Sequence, residues 1–226
     1  AARAALTSDK LGYTDALGLP ELRARIARHY REVYGVGVAP ERIAVTTGSS
    51  GGFLLAFLAA FDSGARVAMA SPGYPAYRNI LAALGNNPVL LRAGAEDRFQ
   101  PTPRMLAAAG PVAGLIVASP SNPTGTMLGR EELASLARAC DAAGAWLVSD
   151  EIYHGIAYGR EAVTALAVSD QAIVVNSFSK YFSMTGWRIG WLVLPEILVQ
   201  PVERLAQNLF ISPPTLAQLA AVAAFD

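Results

Sequence analysis

The stretch Val112-Ala113-Gly114-Leu115-Ile116-Val117-Ala118 holds no residue that gains by facing water. A strand of that kind has to be covered on both faces, which is the place of an inner strand in a parallel sheet flanked by helices. Shorter runs of similar character stand at 43–47, 66–70, 88–92, 146–148, 172–175 and 190–194. Segments with helical spacing lie among them. Pro20 suits a first helical turn, and Leu22, Ile26, Tyr30 and Val33 then share one face; Leu133, Leu136, Ala137 and Cys140 do the same within 131–143. Another helix is predicted from about Phe53. Strands alternating with helices from 43 to 194 predict an α/β domain with a mainly parallel sheet. With 226 residues, 53% of them hydrophobic, the chain can bury a core.

Charge and cysteine usage exclude several classes. Eighteen basic and eighteen acidic residues cancel, so nothing points to nucleic acid or an anionic membrane. The apolar run 53–61 is too short to span a bilayer, and Ala1-Ala2-Arg3 does not open a signal peptide. A single cysteine, Cys140, rules out an internal disulfide and fits a reducing compartment, so the cytoplasm is expected. Its helix-face position makes it core packing. The opening without methionine and the helical pattern 216–225, stopped at Asp226, suggest a fragment.

Polar residues concentrate where the apolar runs end, and strand ends are where an α/β sheet meets a ligand. Lys180 follows one run, beside Ser177 and Ser179, with Arg188 eight positions on. A lysine amine whose pKa is lowered by burial or charge is a nucleophile toward aldehydes, although a solvated turn lysine fits this stretch alone equally well. Gly48-Ser49-Ser50-Gly51-Gly52 at a helix start offers free N–H groups and hydroxyls to an anion such as phosphate, and it lacks the Gly-Lys-Ser/Thr ending of a nucleotide loop. Pro72 and Pro75 hold Tyr74 in a stiff loop, either as a plate for a flat ring or as an anchor for the next helix. Asn122 precedes Pro123 and is held out of the helical region. Asp150 ends a buried strand, which costs free energy unless a cation compensates. In extended backbone Asp150 and Ile152 would share a side opposite Tyr153. His29 is expected in solvent among arginines, His154 in a structural role, and the polar stretch 96–100 carries no signal.

In order, the Gly-Ser turn, Pro-Gly-Tyr-Pro, Asn-Pro-Thr-Gly, Asp-Glu-Ile-Tyr and Ser-Phe-Ser-Lys with its downstream arginine resemble the class I/II aminotransferases, which use pyridoxal 5'-phosphate (PLP). The resemblance implies a three-layer α/β/α large domain with a mixed, mainly parallel sheet. Residues 1–40 would be its N-terminal loop and helix and 41–226 its PLP-binding body, with the C-terminal small domain absent. It implies an amino-group transfer between an amino acid and a 2-oxo acid through an internal aldimine on Lys180. Asp150 would pair with the ring nitrogen, Tyr153 and Asn122 with the ring hydroxyl. Tyr74 and Ile152 would sandwich the ring; Gly48, Ser49, Ser50, Ser177 and Arg188 would hold the phosphate. Tyr13, in Tyr-Thr-x-x-Leu-Gly, would reach the phosphate of the partner subunit in a homodimer. The segment 208–215, which interrupts a helical pattern, would lie near that interface or be a simple helix break. No metal is implied. The same residues also serve PLP lyases, aminocyclopropane-carboxylate synthases and PLP-sensing regulatory domains.

Overall fold

A computed structural model describes residues 1–8 and 11–226. In chain order the first elements are α1 (Ala2–Ser8), α2 (Pro20–Tyr34), β1 (Ile43–Thr46), α3 (Gly48–Ala60), β2 (Arg66–Ser71), α4 (Pro75–Ala83), β3 (Asn87–Arg92) and α5 (Pro103–Ala108). Then follow β4 (Gly114–Ala118), α6 (Arg130–Ala143), β5 (Trp146–Asp150), β6 (Ile173–Ser177), β7 (Gly190–Val193), α7 (Glu196–Leu209) and α8 (Thr215–Ala223). The seven strands make a mixed, mostly parallel sheet, as the α/β reading expects. The chain divides into two compact units, residues 1–59 with 175–226, and residues 60–174.

In the second unit β3, β2, β4 and β5 pair in that order, all parallel, with Val67 opposite Gly114 and Ala118 opposite Asp150. From Gly114 to Val117, β4 is buried at every residue, the two-sided burial that its composition demands. The buried stripe of α6 is Leu133, Leu136, Ala137 and Cys140, and burial pushes the Cys140 thiol up to about 12. At the start of α6 the Glu132 carboxylate reaches back to the Gly129 N–H at 2.6 Å.

In the first unit β1 and β7 pair antiparallel, Thr46 opposite Gly190. Pro20 opens α2, whose buried face is Leu22, Ile26, Ala27 and Tyr30; Val33 lies off that face and is 56% exposed. Helix α3 begins at Gly48, not near Phe53, so the Gly-Ser segment is its first turn and not a preceding loop. Between α7 and α8 the helical pattern is interrupted at 210–214, as read from the sequence. Helix α8 packs on α1 and α2, and its buried residues are Ala217, Gln218 and Ala221, whereas Leu216, Leu219 and Ala220 are half-buried.

Beyond α8, Phe225 enters an aromatic cluster. Its ring centroid lies 5.3 Å from Phe178, 4.9 Å from Phe182 and 5.2 Å from His29. Arg25 caps it, with the guanidinium 4.6 Å over the ring and a 2.8 Å hydrogen bond to the Phe225 carbonyl. His29 is therefore half-buried among rings, and the neighbouring arginines do not keep it in solvent as the sequence suggests.

Candidate active site

Each unit assembles one set of the residues singled out above. In the second unit the centre is Asp150, 5% exposed at the end of β5. The Tyr77 hydroxyl donates to its Oδ2, and the Ile152 N–H donates to Oδ1 at 3.1 Å. Burial raises the Asp150 acid to about 6, against the opposing pull of those two hydrogen bonds. The Tyr77 phenol is driven well above its usual range, first by burial and then by the Asp150 charge. Among the described residues no cationic side chain forms an ion pair with Asp150.

The chain does not stay extended past Asp150. The bond from Ile152 N–H to the Asp150 side chain bends it at once into a turn over 152–155, so the strand alternation assigned to Ile152 and Tyr153 does not apply. Tyr153 is half-buried and hydrogen-bonded to the side chain of Asn122. Its phenol is raised, chiefly by burial and next by the charge of Asp150, while Asn122 opposes the shift. Tyr74, 39% exposed just before α4, sets its ring edge-on to Tyr77 at 5.4 Å. A cleft of about 520 Å³, lined by Asn122, Pro123, Met127, Tyr153, Ile156 and Tyr158 among others, opens beside this group.

The Asn122 loop is closed by Gln100, which lies in the stretch read as uninformative. Its amide donates to the Ala118 carbonyl at 3.1 Å and to the Thr126 carbonyl at 3.0 Å, bridging the two ends of the loop. Gln100 and Tyr77 are residues of this half whose roles the sequence did not disclose. Tyr77 sits three residues beyond Tyr74 on α4, one helical turn away, and that spacing was the available signal.

The first unit gathers hydroxyl, amide and guanidinium donors. Gly48 has φ +73, and a Cβ there would collide with the Arg188 guanidinium, so the arginine lies directly against the backbone that starts α3. Gly190 is as tightly confined: a Cβ would stand 2.8 Å from the Asn176 carbonyl and 3.0 Å from the Ser49 nitrogen. Arg188 is itself left-handed at φ 50 and donates to the Thr185 carbonyl at 2.9 Å. Ser177 Oγ bonds Ser179 Oγ at 2.9 Å and the Ile189 carbonyl at 3.1 Å, tying the end of β6 to the start of β7. Ser179 had been read as a neighbour of Lys180 and proves to be part of this hydroxyl pair. Lys180 occupies the turn after β6, with its carbonyl accepting from Ser183 N–H at 3.0 Å, and it is exposed. Ser49 is half-buried, Ser50 exposed, and Tyr13 stands 82% exposed in the loop before α2.

These donors suit PLP. The first N–H groups of α3 have no acceptors within the helix, and with the Ser177 hydroxyl and Arg188, which lies where a Gly48 Cβ would stand, they are donors of the kind a phosphate would need. The buried carboxylate of Asp150 calls for a cation, and the Asn122–Tyr153 pair suits an aromatic hydroxyl.

Comparison with known proteins agrees with this chemistry. The family model "Aminotransferase class I and II" matches residues 1–226. Valine–pyruvate aminotransferase of Mycobacterium tuberculosis is 56% identical over 100% of this chain, which covers 59% of that protein. Aspartate aminotransferase of Geobacillus stearothermophilus is 32% identical over 100% of the chain and is likewise 59% covered. Among solved structures, an aminotransferase from Mycobacterium tuberculosis superposes with TM-score 0.97 at 56% identity, covering 100% of this chain and 62% of that one. A Thermus thermophilus aspartate aminotransferase mutant gives 0.95 at 35% identity, with 99% and 62% coverage. The chain therefore spans about 59% of the length of the curated relatives it matches.

Proposed function

This chain belongs to the class I and II aminotransferase family, and from that premise we propose that it binds PLP and supplies the cofactor machinery for moving an amino group between an amino acid and a 2-oxo acid. The observation that carries the proposal is Asp150, a buried carboxylate at a strand end with no cationic side chain paired to it among the described residues. Bound PLP supplies an aldehyde that takes up amines and a pyridine ring that, protonated at nitrogen, accepts electrons from a substrate α-carbon.

Each residue then has a task. Asp150 would pair with a protonated ring nitrogen, and Tyr77 fixes the carboxylate for it. Tyr153 and Asn122 bind the ring hydroxyl. Tyr74 and Ile152 would flank the ring. Gly48, Ser49 and Ser50 offer backbone N–H groups to the phosphate, Ser177 its hydroxyl and Arg188 charge-assisted hydrogen bonds. Lys180 Nζ would hold PLP through its aldehyde and, once released, would serve as the base that carries a proton at the substrate α-carbon. Residues 41–226 act as the cofactor-binding large domain, and Tyr13 serves the phosphate of a second subunit in a cytoplasmic homodimer. The 56%-identical relative is named for valine and pyruvate, which makes them the first substrates to try.

The test is chemical. The chain is loaded with PLP, reduced with borohydride and mapped by peptide mass. A phosphopyridoxyl group on Lys180 is expected; label elsewhere, or none, removes the assignment.

A further inference from the structure

Glu151 and His154 are buried titratable groups in the second unit that the proposed chemistry does not use. Glu151 is fully buried, and its Oε1 accepts three hydrogen bonds: Ser149 Oγ at 3.1 Å, Thr164 Oγ1 at 3.1 Å and Ala165 N–H at 2.7 Å. Its Oε2 has no hydrogen-bond partner among the described residues and lies 3.6 Å from His154 Nδ1.

The far side of the imidazole settles where one proton is. His154 Nε2 lies 2.9 Å from the Ser119 carbonyl oxygen, an atom that only accepts, so Nε2 carries a hydrogen. Nδ1 is then left facing a carboxylate oxygen in a site closed to water. Two bare acceptors would repel there, and one proton between them removes the repulsion. Whether it rests on Glu151 Oε2 or on His154 Nδ1, the pair is neutral overall and sets no second net charge beside Asp150.

Ser119 is what the pair holds. Besides the His154 bond to its carbonyl, its N–H donates to the Asp150 carbonyl at 3.3 Å and its Oγ accepts from Leu128 N–H at 2.9 Å. Asn122 follows in the same loop, and Tyr153 directly precedes His154. The bond between Asn122 and Tyr153 thus joins the same two segments that His154 joins to Ser119.

We propose that Glu151 and His154 carry one proton on the pair, on either Oε2 or Nδ1, and act as a positioning pair, locking Ser119 to the turn after β5 and thereby keeping Asn122 on Tyr153. The importance of that contact rests on the cofactor reading above; the pair itself does not. The chain has two histidines, so ¹⁵N-histidine labelling gives two ring systems to assign by NMR. In the unaltered chain His154 is expected to show a protonated Nε2 and an Nδ1 shift between the bare and protonated limits, with a ring N–H in slow exchange. In Glu151→Gln the carboxamide donates to Nδ1, so His154 becomes the neutral Nε2–H form and amide exchange at Ser119 and Leu128 stays within about two-fold. In Glu151→Ala that exchange rises at least about ten-fold, and the absorbance maximum of added PLP shifts, whereas Glu151→Gln leaves it in place. A His154 Nδ1 in the unaltered chain that is neither protonated nor accepting a hydrogen bond, or equal exchange in all three proteins, overturns the proposal. The unaltered and Glu151→Gln spectra decide even if Glu151→Ala does not fold. A shared-proton signal without PLP on Lys180 sinks the cofactor reading and leaves the pair; the reverse result sinks the pair alone.

Discussion

Asp150 carries a burial cost that its hydrogen bonds only partly offset. Its acid rises from 3.8 to about 6 because burial outweighs the bonds from Tyr77 and Ile152. The folded chain therefore binds this proton more tightly than the unfolded chain, and the linkage sign follows. Relative to Asp150→Asn, the unaltered chain should lose stability as pH rises between those values, by about 3 kcal/mol in all, with the loss complete above the upper one. Urea unfolding at a series of pH values measures the difference, and two parallel curves would contradict it. Tyr77→Phe removes a donor that favours the ionised form, so the same loss should extend to higher pH. At Gly48 the argument is steric. Alanine there must hold φ +73 and push a methyl into the Arg188 guanidinium. Gly48→Ala should destabilise by about 1–2 kcal/mol and weaken PLP binding, seen in an absorbance titration, with Lys180 still present to react.

At the scale of elements, loops closed by side chains matter as much as strands. Gln100 spans the 118–126 loop with one buried amide, and no periodicity or motif marks it in the sequence. Gln100→Leu should cost about 1–3 kcal/mol, the penalty for orphaned buried carbonyls, and lower PLP affinity through the loosened Asn122. An unchanged unfolding midpoint would show that water replaces the amide. What could be read in advance was whatever repeats or ends abruptly. The apolar run of β4, the α6 stripe and the strand-end positions of Asp150 and Ser177 all follow from short-range pattern. The start of α3 was misplaced because glycine and serine signal a turn by propensity, while here they form the first turn of a helix packed close to β7. The contacts of Tyr77, Gln100 and Glu151 join residues far apart in the chain, and no local rule locates such partners.

Within the first unit, the last residues pack against α2 and the turn after β6. Phe225 is gripped by Arg25 of α2 and packs on Phe178 and Phe182, which flank Lys180 two positions to either side. Phe225→Ala should lower stability by about 2 kcal/mol, less than a full core truncation because the ring is half-buried, and it should speed amide exchange across 178–184. Exchange confined to the last turn of α8 would show that the ring does not brace the lysine turn.

The core position of Cys140 has a practical consequence for chemistry done on this chain. Its thiol is 1% exposed and its acid stands at about 12, so it holds almost no thiolate at neutral pH. An aromatic disulfide such as Ellman's reagent should find no thiol in the folded chain and one after guanidinium is added. With one cysteine in the whole sequence, the folded surface is blank to maleimides. A cysteine introduced at an exposed site such as Tyr158 could then carry a fluorophore or spin label without competing modification, turning the cleft beside Tyr153 into a place where ligand arrival is watched directly.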